Sequence, residues 1–383
     1  MSSGPGDVFE LIRNGHATTR GDVLDLTGLA RMTVAQRIDA LLAADLIREA
    51  GAERPTGGRR PQRLEFNVAH SVVVAATVDT THSRTALTDL SGRILADHQI
   101  DVAVTDGPDA VLNAIGASAR GLLDRSGLST SSVSGIGICV PGPIDPRTSR
   151  PSQPPIMPGW DAYPIAEHLR AALPVPVIVE NDANAAAFGE YSAGYLDCRA
   201  LCLVKVSTGI GAGIVIDGKV YQGIDGGAGD IGHIRLADQT DAVCQCGARG
   251  CLAAVASGRA IARALTSLGI DAASGRDVGS LLARGDIDAM RLTQEAGRLI
   301  GEVMAGLVCL LNPGVLLIGG PLATAPLITG VRETLYPLSL PRATRHLDVQ
   351  LASLGEDAGI IGMTRLVVDQ VFSASAVEAM LST

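Results

Sequence analysis

A chain of 383 residues is longer than one ordinary domain and suits two or three, and a hydrophobic fraction of 46% supplies material for several cores. The net charge of −9, from 31 basic and 40 acidic residues, excludes a molecule that binds polyanions over its whole surface. Residues 1 to 70 nevertheless hold nine Arg and nine Asp or Glu, so the negative excess belongs entirely to the remainder.

No apolar run approaches the ~20 residues that cross a bilayer. The opening MSSGPGDVFELIRNG lacks the basic-then-apolar order of a secretion signal, so a cytoplasmic protein without a membrane partner is expected. Three of the seven cysteines crowd into residues 244 to 251, which is unlike a disulfide framework and like a metal site.

In chain order, VFELIRNG predicts a first helix, and TRGDVLDLTG a second with Thr19 as N-cap. RMTVAQRIDALLAADLI predicts a third, with Val34, Ile38, Leu41 and Leu42 on one face. The short Thr27-Gly28-Leu29 turn makes a helix-turn-helix. AERPTGGRRPQRLEFN then reads as a strand pair with a Gly-Gly tip, or as a solvated linker. Arg54, Arg59, Arg60 and Arg63, with no acid among them, suit phosphate or minor-groove contact. Together these features predict a winged helix-turn-helix over residues 1–69. Arg31, Thr33, Gln36 and Arg37 on the exposed N-terminal side of the third helix would then enter the major groove.

Beyond residue 70 the texture becomes glycine-punctuated α/β. Strands such as VVVAATV, GIGICV, VPVIVE, ALCLVKV and GVLLIGG alternate with helical segments. Two hairpin-like pairs, VVVAATVDTTHSRTALTDLSG and ALCLVKVSTGIGAGIVIDGKV, open two halves, a weak internal repeat that predicts two similar lobes around a cleft: a smaller one over 70–185 and a larger one over 186–383. The larger should carry the cysteine cluster and a dimerisation surface, and the C-terminal helix should return to the smaller.

Three constellations could carry chemistry. His233 with Cys244, Cys246 and Cys251 offers one imidazole and three thiolates, a closed tetrahedral shell for structural Zn²⁺ with no open position. VSTGIGAGIV, with Gly209, Gly211 and Gly213, could expose backbone N–H groups as a phosphate cradle does, or could be glycine-rich for packing alone. VIVENDANAAAFGE runs a strand into a helix through Asp182, which either accepts a proton from a substrate hydroxyl or, like Asn184, caps a helix starting near Ala185.

The order of winged helix, Asp79-containing hairpin, PGPID, PGW, ENDANAA, STGIGAGI, GGAGDIGH, CQCGARGCL, ASG and LNPGVLLIGG resembles the ROK family of repressors and sugar kinases over residues 8 to about 370. The resemblance implies an α/β two-lobed body of ribonuclease-H-like (actin-like ATPase) fold. It implies structural zinc on the cysteine cluster, Asp182 as the base of the kinases, and an adenosine-side segment at Asn312 to Gly320. It also implies a small-molecule pocket at Gly142, Asn181, Asp182, Asp230 and His233.

The departures oppose catalysis. Thr81 stands where family kinases have the glycine of a phosphate-binding turn, and a β-branched residue there disfavours positive φ and adds bulk. Ile156, Asp230 and Ala253 stand where kinases have Asn, Glu and Glu: Asp230 keeps an acceptor shortened by one methylene, whereas Ile156 and Ala253 delete polar partners, and a site without them should lose hydroxyl discrimination of ~1 to 3 kcal/mol each. The expected protein is therefore a repressor of carbohydrate-related genes with no enzymatic activity and a vestigial base in Asp182. It would bind pseudo-palindromic operator DNA as a homodimer or tetramer and sense a sugar or sugar derivative. An active sugar kinase with an appended DNA-binding domain and a ligand-independent regulator are the alternatives.

Overall fold

The computed structural model describes residues 4–51 and 62–382. Three helices open it: α1 (Pro5–Arg13), α2 (Arg20–Thr27) and α3 (Arg31–Ala43). Thr19 caps α2, its hydroxyl accepting from Asp22 N at 3.1 Å while the Asp22 carboxylate accepts from Thr19 N at 2.9 Å. Gly28 ends α2 in the left-handed region at φ 66°, where a Cβ is disfavoured. The third helix is shorter than its periodicity suggests: Asp45 at φ 57° breaks it, and Ile47 begins β1 (Ile47–Ala50). β1 pairs antiparallel with β2 (Arg63–Phe66). The tip that carries Arg54, Arg59 and Arg60 lies outside the described residues.

The body holds two five-stranded sheets of the same design. In the first, β3 (Val72–Val78), β4 (Ser83–Asp89) and β5 (Ile94–Ile100) form an antiparallel meander, and β6 (Val133–Val140) and β9 (Val177–Asn181) add in parallel, giving the order β5-β4-β3-β6-β9. The small pair β7 (Ile144–Asp145) and β8 (Arg150–Pro151) lies between them in sequence. In the second sheet, β10 (Ala200–Val206), β11 (Ile210–Ile216) and β12 (Lys219–Val220) form the meander and β13 (Val315–Gly319) and β14 (Asp348–Leu351) the parallel part, in the order β12-β11-β10-β13-β14. The weak sequence repeat is thus a repeat of topology, and the body has the two-lobed ribonuclease-H-like fold.

Helices α4 (Pro108–Arg125) and α5 (Ile165–Ala172) cover one face of the first sheet, with Trp160 buried between and its Nε1 donating to Val104 O at 2.9 Å. Helices α7 (Leu252–Ala256), α8 (Gly258–Ser267), α9 (Gly275–Ala283), α10 (Ile287–Leu311) and α11 (Ala325–Leu338), followed by the short α12 (Pro341–Thr344), cover the second. The inner faces meet through two helices. α6 (Asp182–Gly194) leaves β9 directly, so the boundary drawn from sequence at residue 185 cuts through it; α13 (Ala358–Val371) returns from β14 and packs on β3, β6 and α6.

The α6–α13 crossing is backbone against backbone. A Cβ on Gly362 would meet the Ala185 carbonyl, and one on Gly189 the Ala358 carbonyl, both at separations under 3.0 Å that real Cβ atoms do not show. Past α13 comes α14 (Ala374–Leu381), against which α1 packs. Val8, Phe9, Ile12, Val34, Ile38 and Leu41 of the N-terminal helices share one buried cluster with Val73, Val367, Val368, Phe372 and Val377 of the body. Phe66 stands edge-on to both Phe9 and Phe372, at 5.5 and 6.1 Å, and Arg13 pairs with Asp369 at 3.3 Å.

Ala in an exposed helix position normally stabilises by about 0.5 to 1 kcal/mol relative to Gly. At Gly362 the sign should reverse: Gly362→Ala is expected to cost about 2 kcal/mol or more by overpacking, whereas Gly306→Ala on exposed α10, with open space around it, should be neutral or stabilising. Denaturant unfolding of the two variants measures the contrast.

Candidate functional site

The cleft lies where the carboxyl ends of β3, β9 and β10 converge. At the end of β3, the Asp79 N–H donates to His82 O at 2.8 Å and closes the turn. None of residues 79 to 83 is at positive φ, so Thr81 sits there without backbone strain, and only its bulk opposes a phosphate; the strain expected from sequence is absent. The turn reaches across the cleft instead. Thr80 Oγ1 lies 2.8 Å from Thr208 Oγ1 of the glycine loop, and Arg276 Nη2 of α9 lies 3.2 Å from His82 Nδ1.

At the end of β9, Asn181 is the N-cap of α6, its Oδ1 accepting from Ala183 N and Asn184 N at 2.9 and 3.1 Å. The cap is therefore neither Asp182 nor Asn184. Asn181 Nδ2 donates to Gly142 O at 3.1 Å, which leaves Asn181 little capacity for a ligand. Asp182, the first residue of α6, is freed from capping and turned into the cleft.

There it meets a residue that pattern reading passed over. Lys205 Nζ donates to Asp182 Oδ2 at 2.5 Å, with side-chain exposures of 20% and 15%. Burial alone would lower the Lys205 pKa, but Asp182 and Asp79 outweigh it and hold it above the usual lysine value. Burial likewise pushes Asp79 up, and Lys205 with the Thr80 N–H more than reverses that, so both members are charged. A signal was present: the chain has only two lysines, and this one interrupts the apolar strand ALCLVKV.

Asp79, Asp182, Lys205, Ser207 and Thr208 line two cavities at once and so form a partition between them. On one side is a cavity of about 150 Å³ that includes Gly142, Ile156, Asn181, Asp230, His233 and Ala253. On the other is a cavity of about 460 Å³ reaching Arg276, Gly319, Gly320 and Pro321. The glycine loop has a mixed character. Gly213 is a packing residue, since a Cβ there would strike the Ala183 backbone, whereas Gly209 faces open space at the tip.

His233, Cys244, Cys246 and Cys251 come together with their ligand atoms all within 4.8 Å of one another. Zn–S bonds of about 2.3 Å in a tetrahedron require sulfurs about 3.8 Å apart, and Cys246 Sγ and Cys251 Sγ are 3.8 Å apart, with Cys244 Sγ 3.7 Å from His233 Nδ1. The donor set and spacing fit a zinc ion. His233 and Cys244 also line the smaller cavity, so this cluster braces its wall.

On α3, Arg31 and Gln36 are exposed, while Thr33 and Arg37 are half-buried, less open than the pattern suggests. Met32, not singled out by the pattern, is 71% exposed between them. Arg63 is drawn to Glu65 at 3.5 Å. Among the described residues no single helix is long and apolar enough to cross a membrane.

Comparison with known proteins matches these features. The chain is 28% identical over 365 residues to a xylose repressor of Bacillus spizizenii, covering 94% of this chain and 93% of that one. It is 32% identical over 314 residues to a glucokinase of Halalkalibacterium halodurans, covering 78% of this chain and 95% of the glucokinase. Among solved structures, a ROK family transcriptional regulator described as a homolog of the E. coli MLC protein superposes with a TM-score of 0.83 at 26% identity, over 99% of this chain and 98% of that one. A ROK family glucokinase from Streptomyces griseus, in complex with glucose and AMPPNP, superposes with a TM-score of 0.68 at 28% identity over 77% of this chain and 99% of the glucokinase. The kinases match the body alone and the regulators match body and head together. With the ROK family profile spanning residues 73–370, the chain belongs to the ROK family.

Proposed function

We propose that this chain is a DNA-binding transcriptional repressor of carbohydrate-related genes, whose body senses a sugar or sugar derivative and does not phosphorylate it. The observation that carries the reading is mechanical. The head shares its core with α13, α13 is locked to α6, and α6 starts at Asp182 in the cleft. A ligand that prefers one closure of the lobes shifts the pose of that helix pair and with it the heads of a homodimer. Arg31, Thr33, Gln36 and Arg37 read the major groove, and Arg59 and Arg60 contact the phosphate backbone.

The partition argues against phosphoryl transfer. A γ-phosphate must pass from the larger cavity to a hydroxyl in the smaller, and the Thr80–Thr208 contact and the Lys205–Asp182 pair stand in that path. The base is also engaged: a carboxylate bound to a buried ammonium is a poor acceptor for a hydroxyl proton. One observation favours the kinase alternative, the survival of Asp182 beside a roomy adenosine-side cavity. His233, Cys244, Cys246 and Cys251 would hold structural zinc; when bound, it ties the 231–236 segment to the 244–251 loop and offers no open coordination position.

Anisotropy titration against a selected operator should show specific, pseudo-palindromic binding that a sugar releases or strengthens. Arg31→Ala should relax sequence preference, and Arg59→Ala should reduce the salt slope by about 1; an unchanged slope would remove Arg59 from the interface. In a coupled assay with ATP, Mg²⁺ and a hexose panel, turnover above an Asp182→Asn control would establish the kinase instead. A thermal-shift screen in which no sugar acts, alongside specific DNA binding, would leave the body as a ligand-independent scaffold.

Lys205→Met strands two largely buried carboxylates and should cost about 3 kcal/mol, part of it recovered in the Lys205→Met/Asp182→Asn double variant, which still leaves Asp79 without its cation; denaturant unfolding of the cycle checks this. Cys246→Ser should lower bound zinc, measured by atomic absorption, together with thermal stability.

A further inference from the structure

Among the described residues of the head, only Leu26 and Met32 of the large apolar side chains stand exposed, and Met32 is the more open of the two. A single exposed apolar side chain is ordinary on a protein surface; Met32 is set apart by its place on α3. At 100° per residue, Val34, Ile38 and Leu41 form one buried stripe, and Met32 and Gln36, four residues apart, point within about 30° of the opposite direction. Arg31 and Arg37 leave the helix on its two flanks, roughly 110 to 130° from that apex. The first turn of α3 carries no acid, whereas those of α1 and α2 carry Asp7 and Asp22. The acid on the outward face, Asp39, comes two turns after Met32 and is paired with Arg20 at 3.0 Å. The outward side of the first turn is thus apolar at its centre and basic at its edges.

A recognition helix laid in the major groove brings its N-terminal residues to the base edges, and its apex comes nearest to them. Most groups on those edges are hydrogen-bond donors or acceptors, and each loses its water by facing a thioether, which donates nothing and accepts only weakly. The apolar group there is the C5-methyl of thymine. Methionine, unbranched and polarizable, has the reach and the adaptability to cover such a methyl group. Gln36, one turn further along the same face, carries the amide that matches adenine N6 and N7, so both apex residues suit A·T pairs.

We infer that Met32 is a specificity-determining residue for operator DNA, packing on the methyl group of a thymine in each half-site. This rests on reading the head as the DNA-binding part. The test takes the full-length protein and an operator recovered by in vitro selection, and replaces each thymine in turn by deoxyuridine, which removes the methyl group and leaves every hydrogen-bonding group in place. Fluorescence anisotropy should find one thymine per half-site whose replacement weakens binding about 4-fold, and about 15-fold when both half-sites are changed, the effect of one buried methyl group each. Met32→Ala should bind the thymine and deoxyuridine operators alike. Wild-type binding that no deoxyuridine weakens would overturn the inference and leave the repressor reading standing. A penalty as large in Met32→Ala as in the wild type would overturn it too, by assigning the methyl contact to another residue. Absence of any sequence-specific DNA binding would remove the inference and the repressor reading together.

Discussion

The contact on which this molecule depends is the crossing of α6 and α13. Nine consecutive residues of α6, Ala183 to Tyr191, are buried, so the helix is enclosed on every side instead of presenting one stripe. Its run of Ala and Gly is what makes that possible. Small residues let α13 approach until the Ala185 and Ala358 carbonyls sit where Cβ atoms of Gly362 and Gly189 would be. Close-packed interfaces of this kind adopt discrete arrangements and do not deform smoothly, so α6 and α13 move as one body. One end of that body holds Asp182; the other completes the core of the N-terminal three-helix head. The head is thereby fused to the body, through Phe9, Phe66 and Phe372, and does not hang from a linker.

The cleft sets a lysine against the two carboxylates that converge there. Lys205 holds two converging carboxylates, Asp79 and Asp182, in one cluster whose Coulomb attraction outweighs the burial of the ammonium. Thr80 and Thr208 complete the barrier, one from each lobe. Both threonines belong to the turns that a phosphate would need to approach. These polar bridges between lobes are few and short, which is the arrangement expected where closure must respond to a ligand.

Much of this was legible in sequence, for reasons that can be given residue by residue. The Thr19 capping box and the Gly28 stop are local effects, set by neighbours within four residues, and the spacing of Val34, Ile38 and Leu41 marks the one face of α3 that is buried. The His233, Cys244, Cys246 and Cys251 cluster was legible because three of its donors lie within eight residues and the ligand chemistry of thiolates is narrow. The duplicated strand order was legible only as two similar hairpins, because the parallel strands β13 and β14 join over long connections whose length carries no register information.

What the sequence by itself determined is the set of parts: a three-helix head, two α/β halves, a thiolate-rich loop and a family pattern with the kinase glycine replaced by Thr81. Only the tertiary structure decided how they act on one another. Lys205 is a lone charge in a strand until β10 is brought against the start of α6, because its partner Asp182 is 23 residues away, just past the end of the other sheet's β9. Thr81 stands where a glycine is expected, yet the turn needs no positive φ. In each case the deciding energy is a through-space Coulomb or packing term between residues far apart in the chain, and no local pattern encodes it.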